Sequence, residues 1–275
     1  MRSDGEPPAV LVGIDTEADD QWSAEGRRRL SVRNALRLPA LQALCDRFGV
    51  RPSYLVTHEM AARKESADVL RGLAREGRCE IGAHLHPWTS PPFRPEDVAR
   101  HTYPHNLPVE LLERQLTDLA ALIAQELGVR PTTYRAGRNG FDGGSLPILE
   151  VPISAATSPA LPKAAEALYA RLRPIPWRGA LRRLGLKAVW LRPSYAALPD
   201  MLAFASRLAR ARVPCFNIIF HSSELLPGGS PYTPDEASVS RFLEDLKRLF
   251  EHLTARLGAV GRTYGQFRAE WDARA

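Results

Sequence analysis

Ala9-Val-Leu-Val-Gly-Ile-Asp15 is a short apolar run that ends in an acid. Unbroken apolarity over this length predicts a buried strand. Working outward, similar runs alternate with amphipathic stretches. Pro39–Phe48 carries Leu41, Leu44, Cys45 and Phe48 on one face and is stopped by Gly49, which predicts a helix. Ser53–Thr57 is the second strand. Ser66 is expected to cap a helix through Arg75, with Val69, Leu70 and Leu73 facing inward and Gly77 ending it. Cys79–Leu85 is the third strand. Glu110–Leu127 places Leu112, Leu116, Leu119, Ile123 and Leu127 at helical spacing before Gly128, and Thr132–Ala136 is the fourth strand. Further on, Ile148–Ile153, Ala188–Leu191 and Cys215–His221 read as strands, and Lys163–Leu172 and Pro199–Arg210 as helices. The last helix is expected to open with Thr233 as cap, Pro234 at the first helical position and Glu236 three after the cap. Its buried stripe is Val239, Phe242, Leu246, Leu249 and Leu253. This alternation implies an α/β fold with a mostly parallel sheet, open or closed into a barrel, in one domain spanning residues 1–275.

Bulk properties narrow the function. The chain has 275 residues, 44% hydrophobic and 25% charged, as ordinary globular proteins have. Its net charge of +6 is carried almost wholly by arginine. That modest field is compatible with acidic glycans, anionic headgroups or nucleic acid, and equally with a solvated basic surface. Nucleic-acid binding would rest on net charge alone and is not expected. Cys45, Cys79 and Cys215 are odd in number and widely spaced, which is neither a disulfide framework nor a zinc-ribbon spacing. Free thiols in a reducing compartment are expected. The opening Met1–Pro8 has no apolar signal-peptide stretch, so a cytoplasmic location is expected. No run reaches the roughly 18–20 apolar residues of a membrane span. P-loop, GxGxxG and GxSxG patterns are absent, which argues against nucleotide-dependent and serine-hydrolase chemistry.

In parallel α/β folds, chemistry gathers at the C-terminal ends of the strands. Asp15 and Glu17 follow the first strand, His84 and His86 the third, Arg135 and Arg138 the fourth, and His221 and Glu224 the strand Cys215–Phe220. His84 and His86 stand at i and i+2, so in a strand they share a face and can converge on one metal ion. Asp15 and Glu17 have the same spacing. One of these carboxylates would complete a two-histidine, one-carboxylate set, which suits zinc and is also used by non-haem iron. The other, held near a metal that acidifies its water, would serve as general base. Arg135 would keep that base ionised, and His221 would protonate a leaving group. The combination describes hydrolysis of an amide or ester.

The stretches LVGIDTEADD, CEIGAHLHPW, TTYRAGRNGFD and FNIIFHSSELLPGGSPY, in this order along nearly the whole chain, resemble the polysaccharide deacetylase family (carbohydrate esterase family 4, the NodB homology domain), and most closely a bacterial branch with a His-Leu-His-Pro-Trp motif. The resemblance implies a distorted (β/α)7 barrel and a divalent-metal enzyme that removes N- or O-acetyl groups from saccharides, with zinc the expected metal. Carried over by motif, Asp15 is the catalytic base, Glu17 the carboxylate ligand, His84 the first metal histidine, Arg135 the arginine that steadies the base and His221 the acid. Asp19, further from the strand end, is the weaker ligand candidate. Trp88, Arg138 and Glu224 are expected at the substrate, and Trp22 is a second candidate for stacking on sugar rings.

Two departures stand out. The family's second metal histidine lies four residues after the first, where this chain has Trp88; His86 would substitute, with His101 and His105 as other candidates. Between Asp142 and Ile148 stand only five residues, fewer than the roughly 10–12 of a parallel crossover, so a barrel incomplete around residues 142–148 is expected. A non-catalytic carbohydrate-binding relative, or a metal hydrolase of small amides, are the rival readings. Arg171–Lys187 holds several basic residues around Trp177 and no acid, suited to an anionic glycan or membrane surface or simply to solvent. Leu226–Pro231 is a turn-rich loop beside His221, suited to a cleft rim. The oligomeric state is not legible.

Overall fold

The computed structural model describes residues 6–92, 102–140, 151–158 and 187–274. Among these the strands are β1 (Ala9–Thr16), β2 (Pro52–Val56), β3 (Glu80–Leu85), β4 (Tyr134–Ala136), β5 (Ala155–Ser158), β6 (Lys187–Trp190), β7 (Cys215–His221) and β8 (Val260–Gly261). The principal sheet has the order β4-β3-β2-β1-β7, all parallel, with β8 paired to the start of β1. β5 and β6 form a separate antiparallel pair. The helices are α1 (Ala24–Arg29), α2 (Leu38–Arg47), α3 (His58–Ala62), α4 (Lys64–Arg75), α5 (Val109–Leu127), α6 (Leu198–Arg210), α7 (Glu236–Glu251) and α8 (Tyr264–Asp272). None is long and apolar enough to cross a membrane.

β1 lies inside the sheet between β2 and β7 and is buried along its whole length, as its unbroken apolar run requires. The period of two then sorts the sheet into two faces. Val10, Val12 and Ile14, with Tyr54, Val56, Ile81, Ala83, Leu85, Phe216, Ile218 and Phe220, form the large core under the helices. Ala9, Leu11 and Leu55 pack instead against Tyr264 and Phe267 of α8. Continuing that second face towards the strand ends leads to Gly13 and Asp15, and across the sheet to His84, Arg135 and His221. α8 is pinned to this face at its N-terminus: Tyr264 N donates to Ser53 Oγ at 3.2 Å and Gly265 N to Glu80 Oε2 at 3.2 Å. A carboxylate suits that end of a helix.

The α/β class with a mostly parallel sheet holds, but the described residues close no barrel: the sheet ends at β4 on one side and β7 on the other. The gap after β7 is bridged by loop contacts, with Asn217 N donating to Ser154 Oγ at 2.9 Å and Leu191 N to Ser154 O at 3.1 Å. The strand expected over Ile148–Ile153 is displaced: Val151–Ile153 is irregular and pairing begins at Ala155, where backbone groups meet β6. The first three residues of that expected strand, the helix expected over 163–172, the short stretch 142–148, and His101 and Trp177 lie outside the described residues. Two caps also differ. Thr233 does not open α7, because its hydroxyl is engaged with Ser230 at 2.8 Å; the cap is Asp235, which exchanges bonds with Ser238. Ser66 lies inside α4 and donates back to Met60 O at 2.7 Å; the cap position is Arg63, so the helix starts three residues earlier than a Ser66 cap implies.

Two glycines make opposite predictions. A Cβ on Gly82 in β3 would stand 2.6 Å from Leu55 Cδ2 and 2.9 Å from the Thr133 carbonyl, whereas one on Gly72, exposed in α4, would meet nothing within 4 Å. Gly82→Ala is expected to destabilise by about 1–3 kcal/mol through overpacking. Gly72→Ala is expected to stabilise by about 0.5–1 kcal/mol through helix propensity. Denaturant unfolding of the two variants checks both signs.

Candidate active site

Strand register assembles the site. Asp15 of β1 pairs with His221 of β7, and His84 of β3 pairs with Arg135 of β4, two residues beyond the level of Asp15, so four polar side chains share one face near the strand ends. Glu17 and His86 follow just beyond their strand ends. One carboxylate or imidazole atom from each of Glu17, His84 and His86 lies within 4.8 Å of the others, and all three residues are buried. His86 Nε2 is 2.7 Å and His84 Nε2 3.7 Å from Glu17 Oε2.

These residues fit a divalent cation. His84 Nδ1 faces the Arg135 carbonyl at 3.0 Å; a carbonyl only accepts, so Nδ1 carries the proton and the Nε2 lone pair is turned inward, ready to ligate. Among the described residues Asp15 is paired with Arg135 and Glu224 with Arg192, whereas Glu17 has imidazoles alone for partners. A 3% exposed carboxylate without a permanent counter-charge calls for a cation. His86 is less well supported: its Nδ1 is buried without a partner. Burial, foremost, holds His86 below the usual imidazole range, which keeps the neutral form that a ligand needs. Gly137 permits this placement, because a Cβ there would stand 2.5 Å from His86 Nδ1.

Asp15 is gripped from one side. Arg135 Nη1 donates to Asp15 Oδ1 at 2.6 Å, and Arg135 Nη2 donates to Tyr264 OH at 2.6 Å, which donates in turn to Asn217 Oδ1 at 2.7 Å. Gly13 makes the room: a Cβ there would lie 2.3 Å from both Arg135 Nη2 and Tyr264 OH. Burial pushes the Asp15 carboxyl up, but Arg135, His84 and His221 outweigh it and leave it below its ordinary value. Its Oδ2 stays 3.9 Å from both His84 Nε2 and His221 Nε2. Glu17, pushed up by burial, is drawn further down by His221, His84 and His86.

His221 faces the pair from across the cleft, its Nε2 3.8 Å from Glu17 Oε1. Behind it Nδ1 lies 3.0 Å from Glu224 Oε1. Burial lowers its affinity for a proton, but Glu17 and Glu224 outweigh burial and raise it, with Arg192 opposing. Glu224, expected at the substrate, is instead fully buried: it accepts from His221 N at 3.0 Å and is bound by Arg192 and Ser194. Asp19 is also occupied elsewhere, accepting from Ser31 Oγ, Arg33 N, Asn34 N and Asn34 Nδ2. His105 stacks on Tyr103 and is not among the three clustered residues.

Aromatic rings wall the cleft on both sides. Trp22 packs edge-on against His221 at 5.1 Å and Tyr232 at 5.6 Å. Trp88 lies against His86, centroids 4.2 Å apart, and Arg138 lies over Trp88. The sequence reading missed Gly13, Asn217, Arg192, Ser194, Tyr232 and Tyr264. Gly13 carried a signal, since a lone glycine inside an apolar strand marks a close approach. Tyr264 carried one too: Thr263 and Gln266 form a capping box that announces α8.

Tyr264→Phe would strand both the Arg135 Nη2 donor and the Asn217 acceptor in a buried place. It is expected to cost about 1–3 kcal/mol of stability, against a smaller loss for Tyr195→Phe at the half-exposed ring pair. Chemical denaturation of both variants measures the difference.

No family model matches the chain, and no curated protein matches its sequence. Solved structures do resemble it. The Xyl-CE4 domain of a multidomain xylanase from the hindgut metagenome of Trinervitermes trinervoides is 10% identical, with a TM-score of 0.51 over 98% of this chain and 92% of that one. The peptidoglycan deacetylase PdaC from Bacillus subtilis is 12% identical, with a TM-score of 0.47 over 99% of this chain and 95% of that one. A CE4 family pseudoenzyme from Bacillus anthracis is 10% identical, with a TM-score of 0.46 over 95% and 66%. At a TM-score of 0.51, the Xyl-CE4 domain shows that the chain has the fold of the carbohydrate esterase family 4 polysaccharide deacetylases.

Proposed function

We propose that the protein is a metal-dependent hydrolase that removes N- or O-linked acetyl groups from a saccharide. The observation that carries this reading is the joint placement of the Glu17, His84 and His86 cluster with Asp15 on one side and His221 on the other. Glu17 and the Nε2 atoms of His84 and His86 would hold a divalent ion, zinc first among candidates for two imidazoles and a carboxylate. When bound, such an ion acidifies water and polarises an acyl carbonyl. Asp15, oriented by Arg135, takes a proton from the attacking water on Oδ2. Water oxygen adds to the acetyl carbonyl carbon. His221 then gives its Nε2 proton to the departing amine nitrogen or alkoxide oxygen, the C–N or C–O bond breaks, and acetate leaves. Glu224 holds His221 in the required direction. Trp22 offers an aromatic ring to the sugar, and Trp88, whose ring lies against His86 and under Arg138, flanks it.

A carbohydrate-binding relative without catalysis is the second reading, favoured by Trp88 at the position of the family's second metal histidine. A reducing, cytoplasmic compartment is part of the proposal, supported by three cysteines that form no disulfide. Nucleic acid has no part in the proposed function.

Two measurements test it. Elemental analysis is expected to find about one metal ion per chain, lost in Glu17→Ala, His84→Ala and His86→Ala and kept in His105→Ala; a metal-free protein after reconstitution would end the hydrolytic reading. Acetate release from acetylated chito- and xylo-oligosaccharides is expected to fall about 10²–10⁴-fold in Asp15→Asn with metal content unchanged. Full activity in that variant would remove Asp15 as base.

A further inference from the structure

Among the described residues near the cleft, two guanidinium groups are already committed. Arg135 is bound by Asp15 and Tyr264, and Arg192 by Glu224 and Ser194. Arg138 differs. Its Cζ lies 5.1 Å from the Trp88 ring centroid and 5.5 Å from that of Tyr103, its side chain is exposed, and no acid among the described residues pairs with it. Rings engage the face of a guanidinium and leave the in-plane N–H donors unused. Those donors form a planar fork that matches a carboxylate or a phosphate with two bonds.

The backbone supports the same conclusion. Arg138 sits at φ 56°, ψ 23°, a left-handed conformation uncommon for a residue with a side chain and costly by about 1 kcal/mol or more. The turn follows β4 directly, three residues after Arg135, and presents Arg138 at the rim. Trp88 links it to the reaction centre, since that ring also lies against His86. A saccharide with its acetyl group at Asp15 and His221 would reach Arg138 with a neighbouring substituent or sugar unit.

We propose that Arg138, on its Trp88 and Tyr103 platform, is an anion subsite, and that the saccharide carries a carboxylate or phosphate beside the acetylated sugar. This rests on the deacetylase reading for its substrate but not for its binding test. Three probes are compared by titration calorimetry, with metal-free and zinc-loaded protein: the neutral dimer of N-acetylglucosamine, a disaccharide of N-acetylglucosamine and a uronic acid, and N-acetylglucosamine 1-phosphate. At least one anionic probe is expected to bind about tenfold more tightly than the neutral dimer, the size of one charge-assisted contact. The preference should shrink with added salt, vanish in Arg138→Ala and survive in part in Arg138→Lys. Which anionic probe wins separates carboxylate from phosphate. Equal affinity for all three, no binding of any, or a preference retained in Arg138→Ala overturns the subsite. An anion preference without acetate release from any probe would keep the subsite and reject the reaction. Acetate release from the neutral dimer without an anion preference would do the reverse.

Discussion

The buried ion pair of Asp15 and Arg135 is the constraint around which the active end of this protein is arranged. It joins β1 to β4, strands that are not neighbours, across the ends of β2 and β3. Two charges taken out of water gain little net stability from each other, yet losing either leaves the other stranded at a cost of about 3–5 kcal/mol. The structure therefore has to supply whatever keeps both in place. It does so with a glycine in β1 that leaves space for the guanidinium, and with a tyrosine from α8 that occupies its second nitrogen. The pair contributes less to stability than to geometry: it fixes which oxygen of Asp15 is spent on the arginine and which remains.

The same logic explains the other half of the cleft. His221 is held from behind by Glu224, and Glu224 by Arg192 and Ser194 beyond the end of β6. Each reactive group thus has one committed side and one open side. The small antiparallel pair β5–β6, which lies off the principal sheet, delivers Arg192 to its place.

Much of this was legible in the sequence because it depends on local period. Apolar runs without alternation gave β1 and β7, helical stripes gave α5 and α7, and the i, i+2 spacing put Asp15 beside Glu17 and His84 beside His86. The residues that escaped notice act through space. Tyr264 reaches Arg135 across 129 residues of sequence, and Asn217 reaches Tyr264 across 47, distances that no window covers. Glu224 was noticed but its direction was not, because a residue one turn past a strand end can point into the cleft or under it. The cap of α7 was misread for a similar reason. Thr233 and Asp235 both suit an N-cap, and the tertiary partner Ser230 decides between them by occupying Thr233. The barrel was expected from a family pattern, and the described strands stop short of closing it.

The docking of α8 has a consequence for how the chain acquires its site. β1 and β4 are complete long before α8 exists on a growing polypeptide, and during that interval Arg135 lacks the phenol that seats its second nitrogen. Chains emerge from the ribosome at about 5–20 residues per second, so the interval lasts seconds. The parallel sheet forms from contacts distant in sequence and is slow to pair for that reason. Until Tyr264 is made, the second nitrogen of Arg135 therefore has no phenol to bind. Helix α8 thus acts as a latch: its first residues are held by Ser53 of β2 and Glu80 of β3, and its Tyr264 holds Arg135 of β4.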